Sequence, residues 1–231
     1  MIPFSPPYID EDVINEVLDS LNSGWITTGP KVKALEKEVA KLTGVENVLC
    51  VNSATSAMML VLHWYGIGPD DEVIIPAYTY CATALAVMHL GATPVMADCD
   101  ENFCIDVSKL EKLINEKTKA IVPVDIGGYP CDYEAINKLI SEPEVKKLFA
   151  AKGEVQNKLG RILIMSDAAH SIGACYKGNE SGSLCDVTVF SFHAVKNVTT
   201  AEGGAICLNL PVPFDNTELY NWLRLLSLNG Q

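Results

Sequence analysis

Short apolar runs recur along this chain, and between them lie stretches with helical spacing or turns rich in glycine, proline and small polar residues. The runs cover residues 47–52, 72–76, 95–97, 120–124, 161–165, 187–190 and 205–208. Runs this short and this uninterruptedly apolar read as strands buried on both faces. Residues 57–64, 81–89, 106–115 and 132–140 carry the helical spacing. The alternation predicts an α/β fold, an α-β-α sandwich built on a mostly parallel, doubly wound sheet.

Bulk properties narrow the partners. The chain has 231 residues, 48% of them hydrophobic, so a sizeable core is within reach. A formal charge of −12 argues against nucleic acid or an anionic membrane as partner. A small anionic ligand stays open, since it needs only a local cradle. The eight cysteines are scattered without a Cys-x-x-Cys pair, which reads as reduced, mostly buried thiols of a cytoplasmic protein rather than disulfides or zinc ligands, and no metal site is expected. Residues 1–7 lack a basic region and an apolar core, so no signal peptide is expected, and no apolar run approaches membrane-spanning length. No Gly-x-Gly-x-x-Gly follows the first strand, which argues against a dinucleotide site.

The flanking segments read as follows. Residues 1–9, with three prolines, form an extended arm. Residues 10–22 form an amphipathic helix with Val13, Val17, Leu18 and Leu21 on one face. Residues 23–30 are a glycine-punctuated loop whose Trp25 could wall a ligand or simply pack. Residues 31–42 return to helix and end at Gly44. Residues 141–160 are an exposed helix or loop, and residues 216–228 a closing amphipathic helix.

Four features carry possible chemistry. Lys196 sits in a polar turn, residues 191–204, between two apolar runs. Its ammonium is costly to desolvate there; a lowered pKa would free the amine to attack a carbonyl and form an imine, while the plain alternative is a surface lysine at a hairpin. Ser53, Ala54, Thr55 and Ser56 open a helix, where hydroxyls act as ordinary caps or, with the free amides and the dipole, as an anion site. Tyr80 follows an apolar run and could lie over a planar ligand or belong to the core. Asp167 closes another run, with His170 three residues on; open α/β sheets place ligands at such strand ends, but a turn cap and a core histidine read equally well.

Taken together, an anion cradle, a flat aromatic, a carboxylate and a carbonyl-attacking amine at the strand ends of one sheet form the set pyridoxal phosphate needs for its phosphate, ring face, ring nitrogen and aldehyde. The motifs Ser23–Pro30, Asn52–Thr55, Pro76–Tyr80, Asp167–His170 and Ser191–Asn197 also occur in this order. On them the chain closely resembles the nucleotide-sugar aminotransferases of the DegT type, a family with the large domain of fold-type-I pyridoxal-phosphate enzymes. It is most similar to the branch that makes 4-amino sugars such as 4-amino-4-deoxy-arabinose or perosamine for surface polysaccharides and lipopolysaccharide.

The resemblance implies roles position by position. Lys196 would hold the cofactor and shuttle a proton, Asp167 would pair with the pyridine nitrogen, His170 would sit beside the ring oxygen, and Tyr80 would stack on the ring. Ala54, Thr55, Ser56 and Ser191 would cradle the phosphate, and Thr28 and His193 would lie near the substrate. The implied reaction moves an amino group from glutamate, which leaves as 2-oxoglutarate, to a keto group on a nucleotide-linked sugar, in a homodimer or with a complementing chain. Related dehydratases carry histidine at the lysine position, so Lys196 favours transamination. Two departures from the family pattern stand out: the stretch between Ile140 and Arg161 is longer, and the small C-terminal domain that the pattern places after a helix like residues 216–228 is expected to be missing from this chain. Residues 1–231 are therefore expected to be the cofactor-binding large domain, with residues 1–30 as arm and substrate loop; the alternative is a truncated, catalytically incomplete chain that binds pyridoxal phosphate and acts only with a partner chain.

Overall fold

The computed structural model describes residues 5–230. The first part of the expected extended arm, residues 1–4, lies outside the described residues. Helix α1, Glu11–Ser23, begins where Asp10 accepts a hydrogen bond from the Val13 amide and ends at Gly24, whose φ of 71° is left-handed. Helix α2, Pro30–Thr43, starts with proline in its first turn, where a missing N–H costs nothing. Then follow β1 (Asn47–Val51), α3 (Ala54–Trp64), β2 (Glu72–Pro76), α4 (Cys81–Met88), β3 (Thr93–Ala97), α5 (Val107–Leu110), β4 (Thr118–Ile121), α6 (Tyr133–Ser141), α7 (Pro143–Leu148), α8 (Glu154–Leu159) and β5 (Leu163–Asp167). A small hairpin, β6 (Cys175–Tyr176) and β7 (Asn179–Glu180), precedes β8 (Val187–Ser191), β9 (Gly204–Leu208) and α9 (Asn216–Ser227).

The main sheet has seven strands in the order β1-β9-β8-β5-β4-β2-β3. Strands β8, β5, β4, β2 and β3 pair in parallel, and β9 runs antiparallel to both β1 and β8. Strand β9 alone is reversed because residues 192–203 form no crossover helix: a chain that turns straight back pairs antiparallel with the strand it left. The expected mostly parallel sheet is what the structure shows.

Alternate residues of each strand feed opposite layers, as the pleat requires. Val73, Ile75, Ala120, Leu163, Met165, Val187, Val189 and Ile206 face one core with Ala57, Met58, Val61 and Leu62 of α3 and Leu219 and Leu223 of α9. Ile74, Ile121 and Ile164 face a second core with Leu110 of α5 and Ile136, Leu139 and Ile140 of α6. Phe190, Ala205 and Cys207 face a third, under Val39 of α2. Both sheet faces are covered, which is why the strands read as continuous apolar runs.

The structure departs from the sequence expectation at two places and adds detail at a third, where residues 141–160 are mostly exposed short helices and loop, as expected. The helix expected over 106–115 is only α5, one turn capped by Asp106. Strand β4 ends at Ile121, and Val124 joins the sheet through a single bridge to Asp167. Residues 141–160 form two short helices, and the segment is stitched down: Gln156, 1% exposed, donates to the Tyr65 carbonyl at 3.0 Å, and Lys152 pairs with buried Asp71 at 2.8 Å. Helix α1 does take its amphipathic form, yet it buries no residue, and Val13, Val17, Leu18 and Leu21 all stay exposed.

Candidate functional site

Strands β1, β2, β5 and β8 run in one direction. Their C-terminal ends lead into Ser53–Ser56, Tyr80, Asp167–His170 and Ser191–Lys196. The topology therefore collects all four sequence candidates along one edge of the sheet, where open α/β folds bind ligands.

The α3 N-terminus forms the first wall. Ser53 caps it by accepting from the Ser56 amide at 3.1 Å, while its own hydroxyl donates to Ser56 Oγ at 2.9 Å. The amides of Ala54 and Thr55 lie in the first helical turn, where a helix supplies no acceptor of its own. Backbone closes the other side, since a Cβ on Gly204 would stand 2.7 Å from the Ala54 nitrogen and 2.9 Å from the Phe190 carbonyl oxygen. Only a residue without a side chain lets β9 lie this close to a helix start. Ser191, in register with Gly204, is buried beside it.

Asp167 forms the floor. It is 5% exposed; Thr83 of α4 donates to Oδ2 at 2.7 Å, and the Ala169 amide donates to Oδ1 at 3.3 Å. The Thr83 hydroxyl in turn lies 2.8 Å from Thr79 Oγ1. Burial raises the Asp167 pKa, and Thr83, Ala169, His170 and Lys196 each pull it back. Burial lowers the Lys196 pKa, opposed by the charge of Asp167. His170 is lowered by burial and by Lys196, with Asp167 opposing. The three groups thus lie within each other's electrostatic reach. The Gly127 amide donates to His170 Nδ1 at 3.2 Å. A ring nitrogen that accepts cannot carry the proton, so neutral His170 holds it on Nε2.

Lys196 rides on a tight loop. The Phe192 amide donates to the Gly203 carbonyl and the Thr200 amide to the Phe192 carbonyl, both at 2.9 Å, and Asn197 Nδ2 reaches the Ile172 carbonyl at 3.3 Å. From the arm, Ser5 Oγ donates to the Val195 carbonyl at 3.0 Å. Ala201 has a φ of 67°, which costs an L-residue with a Cβ about 1–2 kcal/mol. Replacing Ala201 with glycine is expected to stabilise the chain by about 0.5–1 kcal/mol net of glycine's larger unfolded-state entropy; the midpoint of urea unfolding measures it.

The remaining candidates occupy the rim. Tyr80 is 76% exposed at the start of α4, so it is not a core residue. His193 is exposed, its Nε2 lying 3.5 Å from Glu202. The Thr28 carbonyl accepts from Trp25 Nε1 at 3.0 Å, and among the described residues no hydrogen bond ties the Thr28 side chain to the Lys196 group. The Trp25 ring lies over Gly29, where a Cβ would come within 2.1 Å of the indole nitrogen. Trp25 is thus a packed loop residue, still 58% exposed.

Two supporting groups were not among the sequence candidates: Thr83, and the Asp125 cluster behind His170. Each left a trace. Thr83 is a hydroxyl inside the otherwise apolar α4, and Asp125 follows its apolar run as Asp167 follows the next one. Thr83→Val removes a bond that favours the charged form of Asp167, so the carboxyl midpoint should move further above 3.8. Because that midpoint is already raised on folding, Asp167 contributes most to stability below pH 3.8, and the contribution is lost as pH rises through its folded value. A carboxyl ¹³C titration of the ligand-free chain follows both effects, and the variant should lose about 1–3 kcal/mol at neutral pH.

The residues present fit pyridoxal phosphate on structural grounds: a backbone cradle that a single Cβ would fill, a buried carboxylate with spare acceptor capacity, and a half-buried lysine within its field. No group of three or more His, Cys, Asp or Glu side chains suited to a metal occurs among the described residues. Nor is any described helix long and apolar enough to cross a membrane.

Comparison with known proteins agrees with this geometry. The model of the DegT/DnrJ/EryC1/StrS aminotransferase family matches residues 7–231. The spore coat polysaccharide biosynthesis protein SpsC of Bacillus subtilis is 42% identical over 230 residues, covering 99% of this chain and 53% of that protein. The UDP-4-amino-4-deoxy-L-arabinose--oxoglutarate aminotransferase of Shewanella sediminis is 44% identical, with 99% and 53% covered. Among solved structures, the putative sugar aminotransferase Spr1654 of Streptococcus pneumoniae, in its PLP form, superposes with a TM-score of 0.95 at 48% identity, covering 100% of this chain and 58% of that one; its PMP form superposes equally well. The chain thus spans about half the length of the curated relatives it matches. With the sheet order, the strand-end site and the family match in agreement, this chain belongs to the DegT/DnrJ/EryC1/StrS aminotransferase family.

Proposed function

We propose that residues 1–231 are the cofactor-binding large domain of a pyridoxal-phosphate-dependent sugar aminotransferase, which takes the amino group of glutamate and delivers it to a keto group of a nucleotide-linked sugar for surface polysaccharide or lipopolysaccharide synthesis. The observation that carries this reading is the meeting of Lys196, Asp167 and His170 beside the α3 cradle pinned by Gly204. Pyridoxal phosphate supplies the electron sink of the reaction. Asp167 holds a proton on the pyridine nitrogen, Thr83 fixes that carboxylate, and the first-turn amides of α3 with Thr55, Ser56 and Ser191 take the phosphate. His170 presents its Nε2–H to the ring oxygen, Tyr80 covers the ring, and Lys196 binds the cofactor and moves the proton at the substrate carbon. Thr28 and His193 belong to the substrate side.

The exposed apolar faces of α1 and α9, including Val17, Leu21, Trp222, Leu225 and Leu226, support assembly with a second chain, a homodimer in this reading. The free thiols fit action in the cytoplasm. One experiment tests the chemistry: the purified chain, loaded with pyridoxal phosphate, is mixed with excess glutamate, and both the cofactor absorption and the release of 2-oxoglutarate are followed through a single turnover. Stoichiometric 2-oxoglutarate is expected. A bound cofactor that glutamate never converts would overturn the reading for this chain.

A further inference from the structure

Asp125 is a fully buried carboxyl that the chemistry above does not use. Three donors converge on it. Tyr133 Oη donates to Oδ1 at 2.7 Å, the Cys131 amide donates to Oδ1 at 3.1 Å, and Ser171 Oγ donates to Oδ2 at 2.7 Å. Ser166 Oγ lies 2.5 Å from the Tyr133 hydroxyl and reaches Oδ2 only at 3.5 Å. No cation pairs with Asp125 among the described residues. Burial accordingly pushes its pKa up, the Ser171, Tyr133 and Cys131 bonds pull it down, and Asp167 pushes it up again. A buried, unpaired carboxyl is a costly way to fill space.

What the donors belong to explains its presence. Ser171 follows His170 directly. Cys131 closes the 126–130 loop, and that loop brings Gly127 N–H to His170 Nδ1. Gly128, with a φ of 83°, lies against the same residue, since a Cβ there would stand 3.0 Å from the His170 carbonyl oxygen. The Asp125 amide itself donates to the Asp167 carbonyl at 3.1 Å, and the Asp125 carbonyl accepts from Gly128 N at 3.2 Å. One side chain therefore clamps the two segments between which the imidazole is held, the loop before it and the turn carrying it.

We propose that Asp125 is a positioning residue: by tying Ser171 to the 126–131 loop it holds Gly127 N–H on His170 Nδ1 and so keeps the imidazole proton on Nε2. The inference rests on the reading above for the role of that N–H. The clamp itself is a property of the chain without cofactor.

The test uses the ligand-free, ¹⁵N-labelled chain and long-range ¹H–¹⁵N spectra of its four histidines. Asp125→Asn keeps the side-chain volume and removes one acceptor oxygen; Ser171→Ala removes only the link to the turn. In the native chain His170 should show a single Nε2–H tautomer. In both variants the proton should redistribute between the two nitrogens, with His63, His89 and His193 unchanged. A His170 tautomer identical in native chain and variants overturns the proposal. Should Asp125→Asn fail to fold, Ser171→Ala decides alone. Covalent uptake of pyridoxal phosphate by the native chain is scored separately. No uptake with a responsive His170 tautomer sinks the functional reading and leaves the clamp; uptake with an unresponsive tautomer sinks the clamp and leaves the reading.

Discussion

On the proposed reading, Lys196→Ala should abolish covalent, borohydride-reducible attachment of pyridoxal phosphate and lower the half-reaction with glutamate by about a thousandfold or more. The side chain is assigned two roles, attachment of the cofactor and proton transfer at the substrate carbon, and a general base alone is worth roughly 10²–10⁴-fold. Non-covalent binding through the α3 amides should persist, because the cradle is backbone and capping hydroxyl and does not touch Lys196. Lys196→Arg should behave like the alanine variant, since a guanidinium keeps its proton at any workable pH and cannot attack. The native lysine meets the requirement of both roles, because it is half-buried and burial holds its pKa below the ordinary lysine value. Peptide mass mapping after reduction checks the attachment site, and stopped-flow absorbance checks the rate. Equal labelling of the Lys196→Ala chain would place the attachment elsewhere and end the assignment.

Gly204→Ala is expected to cost about 3 kcal/mol of stability or more and, on the proposed reading, to remove cofactor binding. The added methyl would meet Ala54 N and the Ser53 carbonyl carbon, each at 2.7 Å, and the Phe190 oxygen at 2.9 Å. All three are backbone atoms, so no rotamer change relieves the contact and β9 must part from α3. Overpacking of this kind costs typically about 1–3 kcal/mol and exceeds that where backbone must shift. Gly203 is the internal control. Its Cβ would meet Thr200 Oγ1 at 2.3 Å, but that is the end of an exposed side chain, which can turn away. Gly203→Ala should therefore cost about 1 kcal/mol, and urea unfolding of the two variants side by side measures the contrast. Equal midpoints would mean that the cradle is softer than its geometry implies.

Much of the candidate site was legible along the chain because each of its parts lies at a strand end. Asp167, Ser53–Ser56, Tyr80 and Lys196 each follow an apolar run, and helix caps and strand termini are local matters of hydrogen-bonding pattern. What stayed hidden depended on partners far away in sequence. Thr83 meets Asp167 across 84 positions, and Ser171 meets Asp125 across 46. Propensity also misled where tertiary contact decides: residues 106–115 carry helical spacing yet form one turn, whereas residues 141–160, weakly periodic, are fastened by Gln156 and Lys152.

The order of residues carried by itself the alternation of short apolar runs with helical spacing, the caps, and hence a layered α/β chain with polar residues gathered at the ends of its strands. Only the folded sheet decided that those ends share one edge, because strand order and direction depend on which surfaces pack together. It likewise decided that three donors converge on Asp125 while Asp167 keeps acceptor capacity to spare: the two look alike in one dimension, and only partners distant in sequence tell them apart.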